Sequence, residues 1–565
     1  MFRFQSIKRL TRGITIIPVL LLSLFTSLLF AGQADTLYIL QTTDVHGRIY
    51  PYNYVTDQPA PYGLARAYSK ITEYRLKHQN VLLIDSGDLL QGTPLTYYFN
   101  KIEDTRLNPM ILVMNYMGYD AFTVGNHDIE QGVEVYYKAM KESNFAWLSA
   151  NGVLPDGRTF FEPYTLFEVN GIRVGVLGLT TPGIPMWLDS TLYPGIDWED
   201  MVQSARYWAE QIRPHVDVLV GSFHAGFNAD YSAEQTDRLG LPNENASRLV
   251  AEQIPLFDVV FAGHSHRQIG RKGKTAPQKD ASNFLQFTER TTLLLNAGSW
   301  AQNLAVAQII VQPTDSDRLP YKVLAVDGWL EPLNDVPASK AILDLALPFH
   351  KKTLEYTRTV ICTLTDSLSA AKARWQDTPF MDLIHQTQLH FSGADISFAA
   401  CFDDRFALPP GAVRVKDVYK MYRYENFLYT VEMTGQQIKD FLEYSARYYQ
   451  LKDGKLKHNP KVAGYNYDMA EGISYKIDVR KPVGRRIVDL TDLKTGQPLD
   501  MKKTYRVAMN SYRATGGGGH MAAAKAKNAP IIFKSDQEIR NLLIEYMKAQ
   551  KVISPRANGN WKIIR

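Results

Sequence analysis

Between residues 36 and about 312, short apolar runs rich in β-branched residues recur, at 81–84, 174–179, 216–220 and 259–261 among others, with amphipathic stretches between them. Runs this short and this uniformly apolar predict strands buried on both faces, and the helix-period segments between them predict the covering layers. The pattern changes at 333–358. Ala338-Ser339-Lys340 opens a 3.6-period stretch carrying Leu343, Leu345, Leu347 and Leu354, which predicts a connecting helix with Pro348 as the place where it would kink. Beyond it, helices expected at 381–390 and 435–448 and strands at 413–415, 427–433, 473–479 and 505–510 make a second α/β unit.

The first 34 residues stand apart. Arg3, Lys8, Arg9 and Arg12 precede an apolar run at 14–30, and Gly32-Gln33-Ala34 offers small residues for cleavage, so 1–34 reads as a secretory signal peptide. An uncleaved anchor is the alternative for this run, since a span needs ~20 residues. The expected organisation is therefore a leader at 1–34, a first α/β domain at 35–332, a connecting helix or hinge at 333–358 and a second α/β domain at 359–565.

Composition narrows the function. The 565 residues exceed one ordinary domain, and an apolar content of 45% is ample for two packed cores. The formal charge of +5 includes the four basic residues of the leader, which has no acid, leaving about +1 (5 minus 4) for the rest. That balance excludes the basic footprint of a polynucleotide-binding protein. The densest basic stretch, Arg480-Lys481 with Arg485-Arg486 around Pro482-Val483-Gly484, reads as a solvated hairpin turn. Cys362 and Cys401 are too few for a disulfide framework or a zinc–thiolate site, and read either as one disulfide or as two buried thiols.

The chemistry concentrates just after the predicted strands. Thr43-Asp44-Val45-His46, Asp85-Ser86-Gly87-Asp88, Gly125-Asn126-His127-Asp128, His224 and Gly263-His264-Ser265-His266 place Asp44, His46, Asp88, Asn126, His224, His264 and His266 at five strand ends. Seven hard oxygen and imidazole ligands suit two divalent metals sharing a carboxylate, with positions left open for water and substrate. An isolated histidine after a strand is usually a hydrogen-bonded loop residue. Five such cases in order at strand ends fit the rule that α/β sites collect outside the carboxyl ends of strands. Asp-x-His on one extended segment would direct both side chains to one face. Downstream, Asn510-Ser511-Tyr512-Arg513-Ala514-Thr515 followed by Gly516 to Gly519 comes after a strand, is too glycine-rich for a helix and reads as a loop.

The ordered set Asp-x-His, Gly-Asp, Gly-Asn-His-Asp, His, Gly-His-x-His resembles the calcineurin-like metallophosphoesterases. Within them it resembles the bacterial two-domain 5′-nucleotidase family, most closely its 2′,3′-cyclic-nucleotide 2′-phosphodiesterase/3′-nucleotidase branch. The resemblance implies an N-terminal four-layer α/β/β/α sandwich, a connecting helix and a C-terminal α/β substrate domain. It implies that Asp44, His46 and His266 hold one metal, Asn126, His224 and His264 the other, and that Asp88 bridges them, the cofactors being two divalent ions such as Zn²⁺ or Mn²⁺. A water between such cations has its pKa brought from ~15.7 toward ~7. His127 resembles the family histidine that stabilises the transition state or protonates the leaving alkoxide. Glu130 stands where relatives acting on 5′-nucleotides have an Asp paired with that histidine, and His266 stands where some of them have Gln.

By the same resemblance, Tyr512 and Tyr424 stack on the two faces of a nucleobase, with Asn426 near its edge and Gly516 and Gly517 in the loop beside it. Gly518 stands where 5′-nucleotidase relatives have an Asp that grips the ribose hydroxyls, which a 2′,3′-cyclic phosphate does not offer. Their phosphate-holding arginines have no clear counterpart beyond Arg405. Tyr465-Asn466-Tyr467-Asp468 is assigned to the fold around the pocket. The expected protein is thus an exported, periplasmic or surface dimetal phosphohydrolase. It would take small-molecule nucleotides, without polynucleotide or, once the leader is cleaved, membrane partners. It would open 2′,3′-cyclic nucleotides and then release phosphate. A 5′-nucleotidase or nucleotide-sugar pyrophosphatase, and an inactive nucleoside-binding surface protein, are the alternatives.

Overall fold

The computed structural model describes residues 5–6, 34–103, 107–227, 242–276, 282–288, 290–316 and 318–565. The leader reading falls outside these except for Gln5, Ser6 and Ala34. The chain divides into two compact units, Met1–Thr353 and Leu354–Arg565.

In chain order, the main elements of the first unit are β1 (Asp35–Thr42), α1 (Leu64–Lys77), β2 (Val81–Asp85), β3 (Ala121–Thr123), β4 (Ala146–Leu148), β5 (Tyr164–Val169), β6 (Ile172–Thr180), α2 (Met201–Ile212), β7 (Val218–His224), β8 (Val259–Ala262), β9 (Thr291–Ala297), β10 (Asn303–Pro313) and β11 (Tyr321–Pro332). They make two sheets. One runs β11-β10-β1-β2-β3-β4, with β1 to β4 parallel and β10 antiparallel to both its neighbours; the other runs β5-β6-β7-β8-β9, parallel from β6 onward.

Alternation along the strands explains the layering. Leu37, Ile39, Leu82, Ile84 and Ile309 from the first sheet meet Val174, Val176, Val218, Val220, Val259 and Phe261 from the second in one buried core. The residues between them on the second sheet, Leu177, Leu179, Leu219, Phe223 and Val260, point the other way, onto Met201, Ala205, Ala209 and Ile212 of α2. On the far side of the first sheet, Tyr38 of β1 meets Tyr74 and His78 at the end of α1, at ring distances of 5.7 and 4.1 Å. Period-two side chains therefore give helix, sheet, sheet, helix.

The helix α3 (Lys340–Arg358) contains Pro348 and runs from the first unit into the second. The part of it up to Thr353 belongs to the first unit. His350 stacks on Tyr50 at 4.1 Å, and its Nδ1 lies 2.8 Å from the Tyr54 hydroxyl.

In the second unit, α4 (Pro379–Ser392), β12 (Ile396–Ala400), β13 (Phe427–Thr434), α5 (Gly435–Ser445), β14 (Asp468–Glu471), β15 (Thr504–Asn510) and β16 (Ile531–Glu538) form a sheet of order β14-β12-β15-β13-β16 with its helices. Adjacent residues of β12 again face opposite ways. Phe398 stacks on Phe441 of α5 at 4.1 Å, while Ser397 Oγ faces α4, donating to Gln388 Oε1 and accepting from His385 Nδ1, both at 2.9 Å.

Two sequence readings change here and one left open is decided. Arg486 does not sit on a solvated turn: it is buried and donates to the carbonyls of Ala446, Tyr449 and Lys481, while Arg480 and Arg485 stay exposed. The glycine-rich segment is not plain loop. Asn510 caps a short helical turn at Ser511–Ala514, and another follows at Gly517–Gly519, because the glycines supply positive φ between turns while local side-chain caps hold them. Cys362 and Cys401 are both free and buried.

Candidate metal centre and base site

The donor residues follow the carboxyl ends of β1, β2, β3, β7 and β8. Backbone bonds zip the first two loops together: Asp44 N donates to Gly87 O at 2.8 Å, His46 N to Asp88 O at 2.9 Å and Gly47 N to Leu89 O at 3.0 Å. The segment carrying Asp44 and His46 is not extended, contrary to the period-two expectation. Asp44, His46, Asp88, His264 and His266 all have left-handed backbone, with φ of 50°, 48°, 61°, 66° and 56°. Each such residue costs of order 1–3 kcal/mol and persists only where its surroundings over-determine it. Here the bends occur at residues whose ligand atoms come together in the two donor groups.

Two donor groups result. Asp44, His46 and His266 offer ligand atoms within 4.8 Å of one another, and so do Asp88, His224 and His264. In the first, His46 Nε2 lies 3.0 Å from His266 Nε2, which is 3.3 Å from Asp44 Oδ1. In the second, His224 Nε2 lies 3.2 Å from Asp88 Oδ2 and 3.1 Å from Asn126 Oδ1. Asp88 Oδ2 is also 3.9 Å from His46 Nε2, so this carboxylate faces both groups. Glycine is required around it: a Cβ on Gly125 would stand 2.2 Å from Asp88 Oδ1, and one on Gly87 (φ 98°) 2.5 Å from His224 Nδ1.

The electrostatics suit cation binding. Burial holds His46 and His264 down to about 3, so both imidazoles are neutral with lone pairs available. Burial acts on His224 in the same sense, but the Asp88 carboxylate overrides it and lifts the group to about 9, so this imidazole carries a proton that a bound cation would displace. Asp88, against its own burial, is held well below the usual carboxylate range by His224 and His127. Converging carboxylates, an amide oxygen and imidazoles are a donor set that fits divalent ions of the zinc or manganese kind.

His127 sits beside this centre. Its backbone N–H donates to Asp88 Oδ1 at 2.8 Å, and its Nδ1 lies 2.5 Å from Glu130 Oε2. The ring is part-exposed whereas Glu130 is largely buried, so the acid orients a histidine that still reaches solvent.

In the second unit, Tyr424 is exposed and its ring is perpendicular to Phe402 at 4.9 Å. Asn426 is half-buried and accepts the Ile539 N–H through its carbonyl. Tyr512 lies on the short helix capped by Asn510, and Gly517 is packed under it: a Cβ there would be 2.5 Å from Tyr512 Cζ. Gly516 (φ 107°) has open space around it. Arg405 is exposed and paired with Asp403, which Arg423 also grips, so its guanidinium is engaged on the surface.

Residues 37–268 match the family described as calcineurin-like phosphoesterase, and residues 360–525 match the 5′-nucleotidase C-terminal domain. The chain carries these two domains in that order. The phosphoesterase domain supplies both donor groups, and the protein is a phosphoester hydrolase. The whole chain is 27% identical to a 2′,3′-cyclic-nucleotide 2′-phosphodiesterase/3′-nucleotidase of Haemophilus influenzae, over 94% of this chain and 88% of that protein. It is 28% identical to the trifunctional nucleotide phosphoesterase protein YfkN of Bacillus subtilis over 97% of this chain, which spans 40% of that longer protein. A Staphylococcus aureus structure assigned as a 5′-nucleotidase superposes with a TM-score of 0.75 at 25% identity, covering 94% of this chain and 100% of that one.

Several residues of the phosphoesterase domain were not legible as functional. Asp128 accepts four backbone N–H groups, from Asp88, Leu89, Leu90 and Gly125, at 2.9–3.0 Å, and so sets the loop that presents Asp88. Its place in Gly-Asn-His-Asp was the only signal. Trp187 is half-buried with its ring 5.5 Å from that of His264. Trp300 donates its backbone N–H to Asp44 O at 2.8 Å. Its ring lies under Arg48, which donates to His46 O at 2.7 Å.

Proposed function

We propose that this protein is an exported nucleotide phosphohydrolase that opens ribonucleoside 2′,3′-cyclic phosphates to 3′-nucleotides and then releases inorganic phosphate from them. The observation that carries the chemistry is Asp88 lying between two donor groups with His127 held against it. We assign Asp44, His46 and His266 to one divalent ion, Asn126, His224 and His264 to the other, and Asp88 to both. Metals bound there supply Lewis acidity and an activated water.

The chain's own groups do the rest. In the first reaction water adds at phosphorus, the P–O2′ bond breaks and the 2′-oxygen takes a proton. In the second the P–O3′ bond breaks and the nucleoside leaves. His127, kept in orientation by Glu130, is placed to give the leaving oxygen its proton. Tyr424 and Tyr512 are the stacking residues for the base, with Asn426, Gly516 and Gly517 around them. Support for the cyclic substrate comes from the names of relatives matched along nearly the whole chain, and from Gly518, which offers no side chain to ribose hydroxyls. Export rests on the leader. Among the described residues no helix is long and apolar enough to cross a membrane.

The test is phosphate release from 2′,3′-cyclic AMP, 3′-AMP and 5′-AMP, with and without chelator and added Mn²⁺ or Zn²⁺, ring opening being read through a coupled phosphatase. Chelator-sensitive turnover of the first two is expected. Preference for 5′-AMP would move the protein to the 5′-nucleotidases, and silence on all three with metal present would leave a binding protein.

A further inference from the structure

The C-terminal domain contains a buried arginine whose five donors are spent on orienting other groups. Arg513, 2% exposed, donates through Nε and Nη2 to Asp468 at 2.8 and 2.9 Å, through Nη2 to Tyr465 O at 3.0 Å, and through Nη1 to Gly517 O at 2.7 Å and Asn466 Oδ1 at 3.3 Å. It ties the turn that carries Tyr512 to the segment 465–468. The ring of Tyr465 is exposed, and its hydroxyl is close enough to that of Tyr424 to push the latter's pKa up, after burial and against Arg423.

Position 518 shows what this clasp fills. Gly518 has φ 70°, and a Cβ there would stand 2.1 Å from Arg513 Nη1 and 2.5 Å from Asn466 Oδ1. The neighbouring glycine makes the corresponding approach to the Tyr512 ring. Asn466 and Tyr512 thus border consecutive glycines of one turn. Arginine is only a donor, so the Asn466 amide has one compatible orientation: the oxygen faces Arg513 and the NH₂ group is turned away from it. Among the described residues that Nδ2 has no protein acceptor, and the side chain is half-exposed.

We propose that Asn466 is a specificity-determining residue, its fixed NH₂ donating to an oxygen on the sugar edge of a base-stacked nucleotide. This deepens the reading above and rests on it. A neutral donor accepts a ring phosphate ester beside the base, whereas a carboxylate would repel it and would favour free hydroxyls instead.

The experiment compares wild type, Asn466→Ala and Asn466→Asp in the full chain. Binding of adenosine and of 2′,3′-cyclic AMP is measured calorimetrically in chelator, and turnover of 2′,3′-cyclic AMP, 5′-AMP and p-nitrophenyl phosphate is measured with metal. Asn466→Ala should weaken cyclic-nucleotide binding and raise its KM about tenfold, as expected for one hydrogen bond to a charged or strongly polar acceptor. It should leave p-nitrophenyl phosphate turnover unchanged, and Asn466→Asp, which keeps an oxygen acceptor for Arg513, should keep the thermal midpoint. Asn466→Asp should lose more on the cyclic nucleotide and shift the ratio toward 5′-AMP. Weakening of both ligands would place the acceptor on ribose, and weakening of 2′,3′-cyclic AMP alone on the phosphoryl group. Unchanged binding and unchanged substrate ratios in both variants would overturn the proposal. Wild type that hydrolyses no nucleotide would instead defeat the preceding reading, with the titration in chelator still deciding whether Asn466 touches the ligand.

Discussion

His127 and Asp88 touch through a backbone bond, yet the tasks proposed for their side chains are separable, and substitutions at this scale distinguish them. His127→Ala should lower kcat by about 10²–10⁴, the usual worth of a positioned proton donor, while metal content measured by mass spectrometry stays at the wild-type value. Glu130→Gln keeps the contact to His127 Nδ1 but removes the charge, so a smaller loss is expected, about tenfold. Gly125→Ala should behave quite differently. With its Cβ 2.2 Å from Asp88 Oδ1 that carboxylate must move, and both metal content and thermal midpoint should fall together. A Gly125→Ala protein with full metal content and unchanged melting would show that the Asp88 rotamer is not held by this contact.

At the scale of elements, α4 presents a buried polar face that couples the second unit to pH. Burial and the neighbouring Asp377 carboxylate lift Asp382 to about 8; its Oδ2 accepts the Asn558 N–H at 3.0 Å, and Asp377 takes the Gly559 N–H at 2.7 Å. In the unfolded chain the group titrates near ~3.9. The folded state therefore binds the extra proton, the stabilisation is fully present below ~4, and it is lost as pH rises toward about 8. Asp382→Asn carries no titration here and should flatten the fall of the melting temperature between pH 5 and 8, raising it at the alkaline end. A calorimetric pH series on both proteins checks this. Parallel curves would mean that another group carries the proton.

At the scale of the whole molecule, the donor groups and the two tyrosines proposed to stack on the base belong to different units, Met1–Thr353 and Leu354–Arg565. Chelation should therefore abolish hydrolysis while leaving adenosine binding near its metal-loaded affinity. Tyr512→Ala should weaken adenosine by about 1–3 kcal/mol without changing bound metal. Loss of adenosine binding on chelation would show that the two sites do not work independently.

The sequence by itself determined the parts of this protein that depend on local order. Alternating and continuous apolar runs predict which segments become strands, because burial of period-two faces is a short-range pattern. The donor residues follow those strands within a few positions, so Asp44 to His266 are legible as a set before any contact is known. Only the tertiary structure decided what depends on partners distant in the chain. The left-handed bends at Asp44 and His46 are held by bonds to residues 87 and 88 and, through Trp300, to a distant loop, and the bend at Asp88 by Asp128. Asp128 as the organiser of the Asp88 loop, Arg486 as a buried donor, and Asn466 as an amide fixed by Arg513 all look like ordinary polar residues in the sequence. Their meaning comes from which orphaned backbone groups and side chains the fold brings to them, and hydropathy and spacing carry no record of that.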